Sequence, residues 1–282
     1  MEITKFDDAN QYYQKVKSYL IQQEATHCLL LGIARSFCSS AKKSDRDLLY
    51  LAVVEDEQNI LVTAIRTPPR KLILSQAIAP EAVEAIARDS ASDARSLPGV
   101  IAPKSEAQTF INAWQDLTGQ TCELDVAMRV HQLETVQPIT SAAGELRLAV
   151  ESDRDLLTDW GRAFEEEALG DREPKSDHQL WFDRHLENKS LFVWQDRVGI
   201  VSMAASSGAT PNGIRINAVY TPPEYRGRGY ATSCVTAISQ QLLEKHKYCF
   251  LFTNLTNPTS NYIYRKIGFV PICDIGNYSF TA

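Results

Sequence analysis

The sequence has little of what marks several large classes of protein. Its six cysteines are scattered, mostly in apolar segments, without the close Cys/His spacing of a metal site. Its longest apolar runs, such as residues 28–34 and 48–54, are far shorter than the stretch of about 20 apolar residues that crosses a bilayer. No Gly-Lys-Ser/Thr sequence follows its glycine-rich turn, as a P-loop requires. We therefore predict no metal, no membrane partner and no P-loop.

Positive charge is also scarce. The 29 Lys and Arg residues are outnumbered by 35 Asp and Glu residues, and the net charge of −6 argues against a general nucleic-acid binder. Residues 1–20 contain acidic side chains and lack the apolar core of a signal peptide. The composition is otherwise that of an ordinary globular protein. We expect a soluble, cytoplasmic protein that binds no nucleic acid.

The length predicts two domains. At 282 residues the chain is near the upper limit for one core, so domains of about 140 residues are expected. Segment 135–145 is rich in Pro, Ser, Thr, Ala and Gly, a composition typical of a linker. We place the boundary near residue 142, which gives domains 1–142 and 143–282. The two halves share an order of strands and helices, which favours a duplicated domain.

Hydrophobic periodicity predicts an α/β (α+β) fold with a central mixed sheet flanked by helices in each half. For the first half we predict helices 8–21, 80–91 and 105–119 and strands 27–37, 48–56, 59–67, 71–78 and 122–134. For the second half we predict strands 146–150, 190–196, 198–207, 213–221 and 248–255, a terminal strand pair within 269–281, and helices 177–187, 230–246 and 258–267. A further helix should begin at Asp153, with Ser152 as its cap.

A glycine turn within residues 219–232, VYTPPEYRGRGYAT, joins a strand to a helix. Pro222 and Pro223 cannot donate ladder hydrogen bonds, so the strand ends there. Gly227 and Gly229 allow positive φ and a close approach of the main chain to a ligand. The first N–H groups of the following helix carry the positive end of its dipole. We interpret the turn as a diphosphate cradle; an exposed turn with solvated arginines is the alternative.

Two motifs in the second half resemble those of the GNAT acyltransferase superfamily. The acyl-CoA signature of that family, Arg/Gln-x-x-Gly-x-Gly/Ala, is here Arg226-x-x-Gly229-x-Ala231. A second family element, Asn-x-x-Ala-x-x-Leu-Tyr-x-x-x-Gly-Phe, is similar to NPTSNYIYRKIGF at 257–269, with Ser for Ala and Ile for Leu. The resemblance covers residues 145–282, and the first half resembles the degenerate partner domain of tandem GNAT proteins.

The resemblance implies transfer of an acetyl group from acetyl-CoA to a small-molecule or peptide amine in a ternary complex. It implies that residues 217–220 diverge from 250–254 and bind the pantetheine amides, and that Val219 N–H polarises the thioester carbonyl. Tyr264 would protonate the departing thiolate; a packed aromatic is the alternative, although Tyr262 could take that place. The implied donor contacts are Ala218, Val219, Tyr220, Arg226, Gly227, Arg228, Gly229, Tyr230, Ala231, Asn254, Asn257 and Ser260.

The acceptor side is less well defined. In the family, the end of the first helix of this domain lines the acceptor cleft, and here it carries Glu165, Glu166 and Glu167. We consider these carboxylates as candidates for binding a cationic amine, with a solvated charged face as the alternative. We expect His178 and His185, on the next helix, to be packed or surface residues rather than catalytic bases.

The equivalent place in the first half, residues 72–89, lacks these features. No glycine or arginine lies between its strand and helix, and Glu81 and Glu84 at the helix start would repel a diphosphate. Ile111 takes the position of Tyr264 if Ala107 is matched to Ser260. We therefore predict that the first domain binds no CoA.

Two other functions stay open on the sequence. The chain could sense acyl-CoA without turnover, or bind a nucleotide or RNA through its RGRG turn, although its acidic charge disfavours RNA. Neither the acceptor nor the choice between monomer and homodimer follows from the residues.

Overall fold

The computed structural model describes residues 1–39, 49–93, 96–169 and 176–281. Its strands are β1 (Glu2–Lys5), β2 (Tyr50–Asp56), β3 (Asn59–Arg66), β4 (Leu72–Leu74), β5 (Gly99–Pro103), β6 (Thr121–Leu133), β7 (Glu145–Leu148), β8 (Leu191–Asp196), β9 (Gly199–Ser207), β10 (Gly213–Tyr220), β11 (Tyr248–Asn254) and β12 (Val270–Thr281). Its helices are α1 (Ala9–Leu20), α2 (Cys28–Ser39), α3 (Pro80–Ser92), α4 (Lys104–Thr118), α5 (Arg154–Leu169), α6 (His178–Glu187), α7 (Tyr230–Leu243) and α8 (Pro258–Ile267). The predicted mixed α/β fold class is confirmed.

The chain forms two compact units. Unit 1 comprises Met1–Val130, Gly208–Pro211 and Ile272–Ala282, and unit 2 comprises His131–Ser207 and Asn212–Pro271. These units differ from the proposed domains 1–142 and 143–282, because the division falls at residue 130 and most of β12 belongs to unit 1. As a functional division, the boundary at 142 stays a prediction.

The two units repeat one strand order. In unit 1 the order is β1-β2-β3-β4-β5-β12-β6, and in unit 2 the strands β7-β8-β9-β10-β11 are followed by the end of β6. In each unit the first four strands form antiparallel pairs and the next pair is parallel, β4 with β5 and β10 with β11. A repeated order of pairing supports the duplication that the sequence suggested.

Both faces of the unit 1 sheet are buried, because alternate residues of a strand point to opposite sides. In β2, Ala52 and Val54 belong to the core that includes α3 and α4. The alternate residues of the same strand, Leu51 and Val53, belong to a separate core with α1 and α2. The helices thus cover two opposite faces of one sheet.

Unit 2 follows the same scheme. In β8, Phe192 and Trp194 belong to a core with α7 and α8, whereas Leu191 and Val193 belong to a core with α5 and α6. The sheet therefore separates an α7 side from an α5 side, a distinction on which the candidate site depends.

Several predicted elements are wrong. The run 27–37, predicted as a strand, lies mostly in helix α2, where Leu30, Leu31 and Ala34 are buried at helical spacing. A short, continuously apolar run fits a buried helix as well as a buried strand, so periodicity could not separate them. The predicted terminal strand pair at 269–281 is the single strand β12.

The start of α5 also differs from the prediction. Ser152 lies inside a short 3₁₀ turn, Glu151–Asp153, and is not the cap. The carboxylate of Asp153 instead bonds backward along the chain, because it accepts the N–H of Val150 at 2.9 Å and binds Arg147 at 2.7 Å. Asp153 thereby fixes the turn that leads into α5.

The segment 135–145, predicted as a linker, is held against unit 2. Gln137 N–H donates to the carbonyl oxygen of Ile267 at 2.8 Å. Ala142 N–H donates to Ser233 Oγ, on α7, at 2.7 Å. The segment therefore contributes to the surroundings of the α7 N-terminus.

Candidate active site

Strand β10 contains a β-bulge that changes the direction of its side chains. Its register with β9 shifts between Asn217 and Tyr220, and Ala218 has a φ of 47°. Before the bulge, Ile216 belongs to the core on the α7 side; after it, Ala218 and Tyr220 belong to the core on the α5 side. One extra residue reverses the alternation, since side chains in a strand have a period of two.

Strands β10 and β11 diverge after their first residues. Their parallel ladder ends with Arg215 paired to Phe250. Residues 217–220 and 251–254 lie beyond this last pair, which agrees with the expected divergence. We call these two segments the strand fork. Strand edges that leave a ladder offer N–H and C=O groups to an extended ligand.

The glycine turn enters α7 with an exposed main chain. Gly227 and Gly229 have φ values of 74° and 81°, and Gly229 precedes the helix without a side-chain cap. The first main-chain bond of the helix runs from Ser233 N–H to Gly229 O at 3.0 Å. The N–H groups of residues 230–232 precede that bond, so they have no acceptor within the helix and lie at its positive end.

The space beside both glycines is open. Among the described residues, apart from Gly227 and its two chain neighbours, no heavy atom lies within 4 Å of the position that a β-carbon at Gly227 would take. A β-carbon at Gly229 would lie 3.8 Å from Cβ of Ala142, which is ordinary contact. We call residues 227–232 the mouth of α7. An anion has room there to reach the main-chain N–H groups.

A hydrogen bond ties the first residue of α7 to the β8–β9 hairpin. Tyr230 O–H donates to Asp196, which lowers the pKa of Asp196 and raises the pKa of Tyr230. The charge of Arg228 lowers the pKa of Asp196 further. Arg228 itself is exposed and adds positive charge at the mouth of α7.

The side chain of Arg226 extends away from the mouth of α7. Its Nη2 donates to both carboxylate oxygens of Glu167, at 2.9 and 2.8 Å. Its Nε donates to the carbonyl oxygen of Thr221 at 2.8 Å. Its main-chain N–H donates to the carbonyl oxygen of Pro223 at 3.2 Å. The side chain and main-chain N–H of the first signature residue are therefore engaged outside the mouth.

The predicted asparagines lie in the turn between β11 and α8. Asn257 caps α8, because its Oδ1 accepts Ser260 N–H at 3.0 Å. Its side-chain NH2 group is therefore the part that would serve in the predicted contact with acetyl-CoA. Asn254 Oδ1 accepts Thr256 N–H at 2.9 Å. Asn261, which the sequence analysis did not single out, donates to the carbonyl oxygens of both asparagines, at 3.0 and 2.8 Å.

Tyr264 is buried on α8, whereas Tyr262 is 69% exposed. The ring of Tyr264 packs edge-to-face on Phe269, with 5.8 Å between ring centroids. Burial raises the pKa of Tyr264, and Cys234 on α7 adds to the rise. The hydroxyl therefore stays protonated at neutral pH. Of the two tyrosines, Tyr264 and not Tyr262 is therefore the aromatic residue that packs in the core.

The three acidic residues of α5 have different surroundings. Glu165 accepts His178 Nε2 at 2.8 Å and Ser176 Oγ at 3.0 Å. Glu166 is exposed, and Glu167 binds Arg226. Consecutive helix residues point about 100° apart, so one run of letters can serve three different directions.

The histidines expected to be packed or on the surface are both bonded within unit 2. His185 is buried, and its Nδ1 lies 2.7 Å from Ser190 Oγ. Burial lowers the pKa of His185 to about 4. His178 is bound to Glu165 and links α6 to α5.

The matching family model supports the resemblance. A family described as FR47-like protein, which is GNAT-like, matches residues 197–275, a range that includes the bulge, the fork, the mouth of α7 and Tyr264. The predicted resemblance to the GNAT superfamily is confirmed. No curated protein matches the chain in sequence.

Solved structures with the GNAT fold are similar over the whole chain. An acetyltransferase from the GNAT family of Colwellia psychrerythraea is 12% identical, with 100% of both chains covered and a TM-score of 0.57. A GCN5-related N-acetyltransferase from Sphaerobacter thermophilus is 14% identical, covers 99% of this chain and 94% of its own, and has a TM-score of 0.59. A tandem GNAT protein from the clavulanic acid biosynthesis pathway is 10% identical, covers 99% and 98%, and has a TM-score of 0.54. At such identities the likeness establishes the fold alone.

In unit 1, main-chain groups that follow β4 are bonded to side chains of the same unit. Gln76 N–H donates to His27 Nε2 at 3.1 Å, and Ala77 N–H donates to Glu106 Oε1 at 3.0 Å. Tyr19 O–H donates to the carbonyl oxygen of Gln76 at 2.5 Å. These groups have partners within unit 1; that this unit binds no CoA stays a prediction.

In the ranges 1–39, 49–93, 96–169 and 176–281, no cluster of three or more His, Cys, Asp and Glu residues could hold a metal ion. Within the same ranges no helix is long and apolar enough to cross a membrane.

Proposed function

We propose that the chain is an N-acetyltransferase that uses acetyl-CoA and transfers the acetyl group directly to an amine acceptor. The observation that carries the proposal is the open mouth of α7, residues 227–232, beside a strand fork. It combines two glycines at positive φ, unpaired helical N–H groups and an arginine. The GNAT fold favours acyl transfer as the activity, although a fold alone does not establish an activity.

The residues present fit the donor in chemical type. The N–H groups at the mouth of α7 would bind the diphosphate, with Arg228 adding charge. The diverging main chain of residues 217–220 would bind the amides of the pantetheine arm, and Asn257 NH2 would donate to a carbonyl oxygen of that arm. Acetyl-CoA, when bound, supplies an activated acyl group on sulfur.

The protein's own groups would assist the exchange of the carbon–sulfur bond for a carbon–nitrogen bond. The amine nitrogen attacks the thioester carbonyl, and Val219 N–H would stabilise negative charge on the carbonyl oxygen. As the carbon–sulfur bond breaks, Tyr264 O–H would give its proton to sulfur. The amine loses a proton to water or to a base that we do not assign.

The acceptor is proposed to be a small amine or a peptide amine. Of the three acidic residues, Glu167 is favoured, because its Oε1 lies 3.5 Å from the hydroxyl of Tyr220 at the end of β10. Glu165 is already bonded to Ser176 and His178. A cytoplasmic location and a monomeric or homodimeric state stay predictions from the sequence.

The test is calorimetric titration of the protein with acetyl-CoA, followed by an assay of CoA release with amines. Gly229→Glu places a side chain in the left-handed region and a negative charge at the mouth of α7. We expect it to weaken acetyl-CoA binding on the order of 100-fold or more, about 3 kcal/mol. Gly119→Glu is the matched control, since Gly119 has a φ of 71° and open space but lies after α4 in unit 1.

Three results would change the proposal. Unchanged acetyl-CoA binding in Gly229→Glu contradicts the donor site. Binding of acetyl-CoA by the wild-type protein without CoA release for any amine favours the sensor without turnover. Binding of ATP or RNA but not of acetyl-CoA favours the nucleic-acid reading of the RGRG turn.

A further inference from the structure

The first signature residue, Arg226, bridges two elements rather than facing the mouth of α7. Its guanidinium contacts Glu167, in the last turn of α5, through two hydrogen bonds of 2.9 and 2.8 Å. Its Cζ atom lies 5.8 Å from the ring centroid of Tyr220. The Tyr220 hydroxyl lies 3.5 Å from Glu167 Oε1. We call these three residues the Arg226–Glu167–Tyr220 cluster.

This cluster lies on the α5 side of the sheet. Tyr220 belongs to the core with Trp160 and Ala218, which is separate from the core that contains α7, α8 and Tyr264. The bulge in β10 causes this placement, because it turns Tyr220 toward α5 directly after Val219. The cluster therefore includes the residue directly after Val219 and lies across the sheet from Tyr264, the proposed general acid.

The cluster is accessible enough to meet a ligand. The side chains of Arg226 and Glu167 are 47% and 50% exposed, so solvent screening limits their contribution to stability. A carboxylate has about four lone-pair positions, and the bonds from Arg226 use only part of this capacity. An ammonium group can share the carboxylate with the arginine.

On the basis of the proposed function, we propose that Arg226 is a positioning residue for the acceptor. It holds the carboxylate of Glu167 beside Tyr220, where that carboxylate binds an acceptor with a cationic amine. Recognition of the donor diphosphate then belongs to the N–H groups of residues 227–232 and to Arg228. The assignment explains why both the guanidinium and the N–H of Arg226 are bonded outside the mouth of α7.

The first test compares two arginines that are two residues apart. Acetyl-CoA binding is measured by calorimetry for the wild-type protein, Arg226→Ala, Glu167→Gln and Arg228→Ala at two salt concentrations. We expect Arg226→Ala and Glu167→Gln to change the dissociation constant less than about threefold. Arg228→Ala should weaken binding about tenfold and reduce its salt dependence, because a charge that faces the diphosphate is lost.

The second test uses steady-state CoA release with spermine, L-lysine and a serine-initiated peptide as amine probes. For the amine used fastest by the wild-type protein, Arg226→Ala and Glu167→Gln should each raise the acceptor KM about tenfold, with little change in the donor KM. The double variant should be no worse than either single one, because both remove the same contact. Arg226→Lys should restore part of the loss, since an ammonium can still reach the carboxylate.

Two outcomes would overturn the inference. One is a loss of acetyl-CoA affinity in Arg226→Ala as large as that in Arg228→Ala. The other is additive effects of Arg226→Ala and Glu167→Gln on acceptor use. A wild-type protein that binds no acetyl-CoA contradicts the proposed function itself, which is a different result.

Discussion

At the scale of single residues, burial decides how Tyr264 can act. Its hydroxyl lies in an apolar environment that raises its pKa, so the proton is held more firmly than on a solvated phenol. A thiol has an ordinary pKa of about 8.5, which makes proton transfer from Tyr264 to a thiolate unfavourable at equilibrium. A thiolate is also a fair leaving group without help. The tyrosine should therefore assist transfer without being indispensable.

We predict that Tyr264→Phe lowers kcat about tenfold to a hundredfold, at the low end of general acid catalysis, and leaves the dissociation constant of acetyl-CoA nearly unchanged. Tyr262→Phe, two positions earlier on α8 and exposed, should change neither value. Because the pKa of Tyr264 is raised, its ionisation should cause no loss of kcat below about pH 10. Equal kcat values for the two variants would remove Tyr264 from the mechanism.

Residue identity predicts the backbone of the glycine turn better than it predicts the surroundings of the acidic run at 165–167. The glycines of the RGRG turn leave a trace in the sequence, because positive φ at Gly227 and Gly229 restricts the residue type. The acidic run at 165–167 leaves no such trace. Whether Glu165 meets His178 or Glu167 meets Arg226 depends on partners that the fold brings from elsewhere in the chain.

At the scale of elements, most strands and helices followed from periodicity, and the exceptions have physical reasons. The bulge at Ala218 could not be predicted, since alanine is not a residue that marks a left-handed position. Strand β5, Gly99–Pro103, was missed because its short run has no polar residues in alternation, unlike 146–150, and lies between two prolines. Helix boundaries were closer, as at α3 and α8, where a proline begins each helix.

His185, which is buried at the junction between α6 and β8, should make the free energy of unfolding depend on pH. The pKa of buried His185 is about 4 in the folded protein and 6.5 when unperturbed. As the pH falls below 6.5, the unfolded chain takes up the proton first, so stability decreases between about pH 6.5 and 4. The shift of about 2.5 pKa units corresponds to a loss of at most about 3–4 kcal/mol, because each unit is about 1.4 kcal/mol.

His185→Asn, which keeps a polar group near Ser190, should reduce this dependence. The free energy of unfolding in urea, measured at intervals between pH 7 and 4, should fall less steeply in the variant than in the wild-type protein. The comparison isolates His185, because all carboxylates are common to both proteins. Identical slopes would show that His185 takes up its proton without unfolding the junction.

At the scale of the whole molecule, the order of segments along the chain does not match the unit to which each segment belongs. Residues Ile272–Ala282 follow unit 2 in the sequence but belong to unit 1, where β12 pairs with β5. Lys71, with a nearly buried side chain, fixes the strand through Asn277 at 2.6 Å and also binds Asp125 at 2.5 Å. A sequence read as two consecutive halves cannot predict this, because strand pairing depends on partners about 175 residues apart, a separation that periodicity does not encode.

The last residues of the chain should therefore determine the stability of unit 1. Phe280 is 9% exposed and stacks on Trp114, with 5.2 Å between ring centroids, in the core with α3 and α4. Phe280→Ala should lower the free energy of unfolding by about 3–5 kcal/mol, because a large buried ring leaves a cavity. Ile272→Ala, on the same strand but 42% exposed, should cost less than about 1 kcal/mol. Urea denaturation followed by circular dichroism measures both, and a Phe280→Ala protein as stable as Ile272→Ala would mean that β12 contributes little to the unit 1 core.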